Sequence, residues 1–366
     1  MGRNIVIFYD QTFPFSGERP DQTFMYRTEK LAKVVTADEL KDTVANDEID
    51  CLVNMHGPYF PKNAWIELLT YLKTGKGFVH LGGIPFRIPC HLENGKWVTE
   101  REQTAHHQLL NIHEALEVSP APIEQLKHNP DIPVFKNQEY LFTVEKTYNF
   151  ILHVSKSSAI DKEMGSSGPM DARIFPLLKG ISKDEREVAA PAVLIENMKG
   201  DFTGGRWLFV NQPLRNIFWC EKGTESLISW AHFTTKGVTE MWLKTNYASY
   251  EENERPTITF QLQSFASGRK SWTLHFNIKK NNESCFKKVL KTSASPQLNV
   301  QSFTPRLMLN QDSIKFLAEL YRKTETPTLF VTGSGVWTAV YCKAENLLPA
   351  TGIIFGRTGD HCQLLA

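Results

Sequence analysis

No apolar run in the sequence approaches the ~20 residues needed to cross a bilayer. Its start, Met1-Gly2-Arg3-Asn4, leads straight into the strand-like Ile5-Val6-Ile7-Phe8-Tyr9 instead of a signal segment. A soluble, cytoplasmic chain with no membrane partner is the expectation. Cysteine is scarce: the 6 residues Cys51, Cys90, Cys220, Cys285, Cys342 and Cys362 are widely spaced and form no CxxC pair. That excludes a zinc knuckle and a disulfide framework and leaves free thiols. Neither sign of charge is in excess, since 41 Lys and Arg meet 40 Asp and Glu for a net charge of +1. A nucleic-acid partner would call for a basic stripe. The pairs Lys279-Lys280 and Lys287-Lys288 are too short for one and read as strand ends or turns. GxGxxG, Walker and HExxH patterns are missing, so no nucleotide, metal or other cofactor is expected. There is no internal repeat and no low-complexity tract. What stands out instead is aromatic content, 11% with 8 Trp and 23 Phe, whose flat rings suit sugar faces and ordinary cores alike.

The first half alternates strands with helical patterns. An apolar run over 4–9 ends at Asp10 and enters a loop rich in Pro, Phe and Gly; Ala32–Thr36 follows, with Thr36 placed to cap a helix. A buried strand over 50–55 is broken by His56-Gly57-Pro58. Trp65, Leu68, Leu69 and Leu72 then fall at helical spacing, with Gly75 as the helix stop. Phe78-Val79-His80-Leu81 is a further strand, closed by Gly82-Gly83. This rhythm predicts parallel βαβ units. Between about 87 and 185 the periodicity weakens to a hairpin at Glu93-Asn94-Gly95-Lys96, a His-rich helix around 101–116 and a loop at 165–168, which together read as an insertion decorating one face. Residues 192–196 and 206–210 read as a β-hairpin, and 223–233 as a helix. From Val238 the period becomes two, as in Thr257–Gln263 and Ser271–Ile278, the pattern of an antiparallel sandwich. The expected organisation is an α/β domain over 1–236, a β-sandwich over 237–330, and a tail over 331–366 that reads as the start of a further domain.

Ligands of open α/β sheets bind beyond the carboxyl ends of the strands, so the rim is Asp10-Gln11, His56–Tyr59 and Gly82-Gly83-Ile84. A nucleophile elbow would carry Cys or Ser on a sharp, glycine-flanked turn; here the turn reads Leu81-Gly82-Gly83-Ile84-Pro85, and Cys90 lies too far along. His80, His106, His107 and His113 lack a matching carboxylate spacing and read as core or surface residues rather than metal ligands. Glycoside hydrolysis needs two facing carboxylates, but Glu196 and Glu240 fall in different expected domains. An acid–base site at the rim would draw on Asp10, His56, His80 and Glu196. For sugar contact, Trp219, Tyr247 and Tyr250 lie in or near loops, whereas Trp207 and Trp272 sit mid-strand and read as core.

The segment Asp50-Cys51-Leu52-Val53 followed by Trp65-Ile66-Glu67-Leu68-Leu69-Thr70-Tyr71-Leu72-Lys73-Thr74-Gly75-Lys76-Gly77-Phe78-Val79-His80-Leu81-Gly82-Gly83 resembles the class I glutamine amidotransferase-like fold. Within it, the segment is most similar to the versions embedded in bacterial glycosidases, as in the trimerisation domain of certain β-galactosidases, and to trehalose-utilisation-type proteins. Pro191–Glu196 with Gly204–Asn211 is similar to the strand pair completing such domains. Residues 237–256 resemble the β-sandwich that follows it in multidomain glycoside hydrolases. The resemblance covers about 4–280 and implies a flavodoxin-like, amidotransferase-like parallel sheet with flanking helices, followed by an antiparallel β-sandwich. The amidotransferase cysteine is replaced by the Gly83 region, so the family's thiol chemistry does not carry over. The catalytic glutamates of such glycosidases belong to a barrel that has no counterpart here. The resulting expectation is a non-catalytic accessory region of a glycoside-hydrolase-like protein, serving assembly and carbohydrate binding, with further copies or a catalytic domain as partners. The alternatives are a stand-alone enzyme acting on a sugar or small polar substrate at the rim, and a pure oligomerisation scaffold.

Overall fold

The computed structural model describes residues 4–46, 48–152, 171–246, 255, 257–266, 270–280, 283–306, 314–322, 337–339, 356–357 and 360–361. The chain divides into two compact units, Met1–Gly237 and Val238–Ala366. Among the described residues no helix is long and apolar enough to cross a membrane.

In the first unit, β1 (Ile5–Phe8), β3 (Cys51–Asn54) and β5 (Gly77–Leu81) are buried at every position, the pattern of parallel strands covered on both faces. The helices between them are set by local chemistry. α1 (Gln22–Glu29) is capped by Asp21, whose side chain accepts from the Phe24 N–H at 2.7 Å. After β2 (Lys33–Val35), α2 (Ala37–Val44) opens on Thr36, whose N–H donates to Glu39 Oε2 at 3.0 Å, the reciprocal half of a capping box. Beyond β4 (Tyr59–Pro61), α3 (Trp65–Lys73) buries Leu68, Tyr71 and Leu72 and stops before Gly75, whose φ of 72° suits a helix terminus.

The segment expected to be a His-rich helix over about 101–116 is corrected by the structure. Only α4 (Ala105–Gln108) is helical; Asn111 takes φ 63° and ends the turn, and β8 (Ile112–Val118) follows. β8 pairs antiparallel with β10 (Thr147–Leu152). The hairpin of β6 (Ile88–Glu93) and β7 (Lys96–Thr99) turns on Asn94 and Gly95, both at positive φ, as a two-residue turn of this hand requires.

The central sheet has eight strands. Its order is β2-β1-β3-β5-β13-β12-β11-β9, with β9 at Gln125–His128, β11 at Ala172–Ile181, β12 at Glu187–Asn197 and β13 at Arg206–Val210. The strands from β2 to β13 run parallel, and β12, β11 and β9 extend the sheet antiparallel. Part of the 87–185 insertion is thus main sheet. α5 (Glu221–Thr234) packs against β3, β5 and β13 and buries Leu227, Trp230 and Ala231. The unit is a mixed α/β structure around a parallel-rich sheet.

The second unit contains β14 (Thr239–Thr245), β15 (Ile258–Ser264) and β18 (Asn299–Phe303) in one antiparallel sheet. β16 (Lys270–Lys280), β17 (Glu283–Ala294), β19 (Ile314–Arg322) and β20 (Trp337–Ala339) form another. The two sheets meet through Phe276, whose ring lies 5.4 Å from Phe260 and 4.7 Å from Phe303. The expected loop at 165–168 and most of the 331–366 tail lie outside the described residues.

Candidate functional site

The crevice beside β1, where the chain passes from one side of the sheet to the other, is the usual ligand position in such a sheet. Here the chain's own loop after β1 fills it. Phe8, Phe13 and Phe15 place their rings 4.4, 5.1 and 5.4 Å from the His56 imidazole. His56 Nε2 accepts from the Asp10 N–H at 2.9 Å, so Nδ1 carries the proton and donates to the Pro14 carbonyl at 2.8 Å. Burial holds this imidazole neutral, with its pKa pushed down to about 3. Asp10 Oδ1 accepts from the Thr12 N–H and hydroxyl at 2.8 and 2.7 Å, and Oδ2 from the Ala37 N–H at 3.2 Å in the first turn of α2. Burial pushes the Asp10 carboxyl up, but these bonds outweigh it and set it below its ordinary value.

Asn54, at the end of β3, ties this latch to the third rim residue. Its Oδ1 accepts from the His56 N–H at 2.9 Å and its Nδ2 lies 3.3 Å from His80 Nδ1. His80 is fully buried among Phe78, Phe86 and Phe209, and burial takes its pKa to about 3. Asp10, His56 and His80 therefore share one buried network that pins three loops. Glu196 lies elsewhere. β12 runs against the parallel strands, so its end falls at their amino edge, where Glu196 pairs with Arg206.

The imidazoles predict an acid response. Unfolded, both histidines titrate near 6.5; folded, they resist protonation until about pH 3. Their stabilising effect is therefore complete above pH 6.5 and is lost as pH falls from there toward 3. His56→Gln is expected to remove about one proton from the uptake on unfolding between pH 4 and 6, read as the pH slope of urea-unfolding free energies. An unchanged slope would mean that His56 is protonated in the folded chain.

Among the described residues, two open spaces lie at the carboxyl edge: one of about 430 Å³ beside the ends of β1 and β2, lined by Tyr9, Gln11, Asp21 and Thr36, and one farther along, over the turn after β5. A cavity of about 260 Å³ is floored by Gly82 and Gly83 and walled by Ser16, Arg87, Glu102, Glu117, Lys146 and Tyr148. Gly82 and Gly83 take φ of 101° and 127°, where a side chain is strained. Both of their N–H groups donate to the Val210 carbonyl, at 3.0 and 3.1 Å, so neither is free to stabilise an oxyanion. The inner face of the β8–β10 pair forms the outer wall, with Tyr148 opposite Glu117 in register. Lys146 Nζ bonds Glu117 at 3.0 Å and Arg87 Nε bonds Glu102 at 2.9 Å. Ser16 Oγ donates to the Gly82 carbonyl at 2.8 Å.

Trp219 is 6% exposed; its ring packs on Phe24 at 5.0 Å and its Nε1 donates to the Glu18 carbonyl at 2.7 Å, so its faces are turned inward. Tyr247 and Tyr250 lie outside the described residues. Cys90 is buried, off the glycine turn, and burial pushes its thiol up to about 12. Among the described residues no group of three or more His, Cys, Asp or Glu could hold a metal ion. The sequence offered no spacing that joins Ser16, Arg87, Glu102, Glu117, Lys146 and Tyr148. The alternation in Thr147–Leu152, which puts Tyr148 and Phe150 on one face, was the available signal.

No protein-family model matches the chain, and no curated protein matches its sequence. Among solved structures it is similar to Gan42B, a GH42 β-galactosidase from G. stearothermophilus, with 12% identity and a TM-score of 0.33 over 83% of this chain and 40% of that one. It is similar also to the β-galactosidase of Rahnella sp. R3, with 8% identity and a TM-score of 0.33 over 83% of this chain and 41% of that one. A thua-like protein from Bacteroides uniformis shares 12% identity and a TM-score of 0.30 over 64% of this chain and 91% of that one. The chain spans about two-fifths of the length of these galactosidases, 40% and 41%. Similarity at this level assigns no family.

Proposed function

We propose that the chain is a non-catalytic accessory region of a glycoside-hydrolase-like protein, and that its first unit binds a carbohydrate in the cavity over Gly83. The observation that carries this is the turn after β5: where an amidotransferase-like domain would present its nucleophile, the chain has two glycines whose amides are already bonded to Val210. Of the acid–base candidates at the rim, Asp10 and His56 are held in buried structural bonds and His80 lies against Asn54 through Nδ1, while the charged groups of the cavity wall stand in ion pairs. The parallel strands stand in the order β2-β1-β3-β5-β13, which supports the flavodoxin-like, amidotransferase-like reading of the fold. Assembly with further copies or with a catalytic domain belongs to the same proposal.

Calorimetric titration of the full chain with D-galactose and D-glucose, run beside hydrolysis of the matching chromogenic glycosides, tests it. Saturable binding without turnover, weakened at least tenfold by Tyr148→Ala, is expected. Turnover that disappears in Asp10→Asn would make the rim an active site and overturn the proposal.

A further inference from the structure

We infer that the cavity over Gly83 selects a single uncharged ring polyol and discriminates against acidic and basic forms of the same ring; this rests on the carbohydrate site proposed above. At about 260 Å³ the cavity falls below the roughly 300–1,000 Å³ of sites for drug-sized ligands. One sugar ring is therefore the fitting size.

The wall carries charge in balanced pairs. Arg87 faces Glu102 at 2.9 Å, and Lys146 faces Glu117 at 3.0 Å. A carboxylate entering this space approaches two cations and two carboxylates together. Attraction to the cations and repulsion by the carboxylates oppose one another in these partly solvated pairs, so the entering group gains little to repay the hydration it loses against the apolar part of the wall, and an ammonium meets the same cancellation. A hydroxyl does not face this conflict, because it donates one hydrogen bond and accepts two. It can donate to a glutamate and accept from its basic partner while both pairs stay closed, and bonds to ionised groups are the stronger kind. The wall also holds apolar surface from Pro58, Ile84, Ile88, Ala115 and Pro213, with the ring of Tyr148 beside Gly83. That combination of apolar surface and paired charge suits the C–H faces and hydroxyl rim of a pyranose.

The test titrates the full chain at pH 7 and low salt with D-galactose, D-glucose, D-galacturonate and D-galactosamine. The neutral sugars are expected to bind, and the acid and the amine at least fivefold more weakly. Unbalancing one pair should shift the preference in a set direction. Lys146→Gln leaves the Glu117 charge uncompensated and favours galactosamine over galactose relative to the parent chain, whereas Glu117→Gln favours galacturonate. If a charged sugar binds the parent chain as tightly as the neutral ones, and Tyr148→Ala weakens it, the site stands and the inferred ligand class falls. If none of the four binds, or if binding ignores Tyr148→Ala, the site and the inference fall together.

Discussion

Glu196→Gln is expected to destabilise the first unit by about 3–5 kcal/mol, because it breaks a buried ion pair by removing the charge of one partner. Both side chains are 1% exposed, and Glu196 Oε1 accepts from Arg206 Nε at 2.9 Å and Nη2 at 2.8 Å. The two residues sit opposite each other in the β12–β13 ladder. The guanidinium also lies 4.7 Å from the centre of the Phe233 ring on α5, so the pair fastens the helix layer to the sheet. In a unit of this size the loss corresponds to a fall in melting temperature of roughly 10 °C. Exchanging both partners for apolar residues, Glu196→Leu with Arg206→Met, is expected to recover most of the loss, since neither desolvated charge remains. Galactose affinity of the folded single variant should be unchanged, because the pair lies at the far edge of the sheet from the cavity. A Glu196→Gln protein that melts with the parent would show that the pair contributes nothing net.

Glu196 also marks a limit of the sequence. Placing a residue at a strand's carboxyl end puts it on the ligand rim only when that strand runs with the parallel set, and β12 runs against it. Direction depends on tertiary pairing, which local patterns do not encode. Where burial and turn chemistry decide locally, legibility was high. The apolar runs of β1, β3 and β5, the Thr36–Glu39 helix start, the Gly75 stop, the Asn94-Gly95 turn and the hairpin of β12 with β13 all stand at or within a few residues of their expected positions. The stretch around 101–116 failed because α4 is a single turn, and the alternation of β8 has meaning only beside β10. The residues of the crevice were visible but their state was not. That His56 is neutral, with Nδ1 protonated, follows from the Asp10 N–H and the Pro14 carbonyl brought to its two nitrogens. The cavity was the least legible part, because its wall is drawn from the β1 loop, the β5 loop and the β8–β10 pair.

Gly57→Ala is expected to cost about 2–5 kcal/mol and to weaken galactose binding at least tenfold in the protein that remains folded. Gly57 takes φ 67°, a conformation that costs a residue with a Cβ roughly 1–2 kcal/mol. Its Cβ would also lie 2.5 Å from Ser16 Cβ and 2.8 Å from the Gly82 carbonyl oxygen, and relieving such overpacking typically costs about 1–3 kcal/mol more. The second atom is backbone, so relief has to come from moving a loop. Ser16 and Gly82 both belong to the cavity, and the Ser16 hydroxyl holds the Gly82 carbonyl at 2.8 Å. Pushing the β1 and β5 loops apart therefore breaks that bond and displaces the floor of the cavity proposed to hold the sugar. Gly95→Ala is the control: φ is 74°, yet nothing lies within 4 Å of the added methyl. It should cost only the backbone share, about 1 kcal/mol, and leave binding intact. Equal losses in urea unfolding of the two variants would mean that the three loops do not meet through glycine backbone at Gly57. A Gly57→Ala chain that is destabilised but binds galactose normally would place the ligand away from this floor.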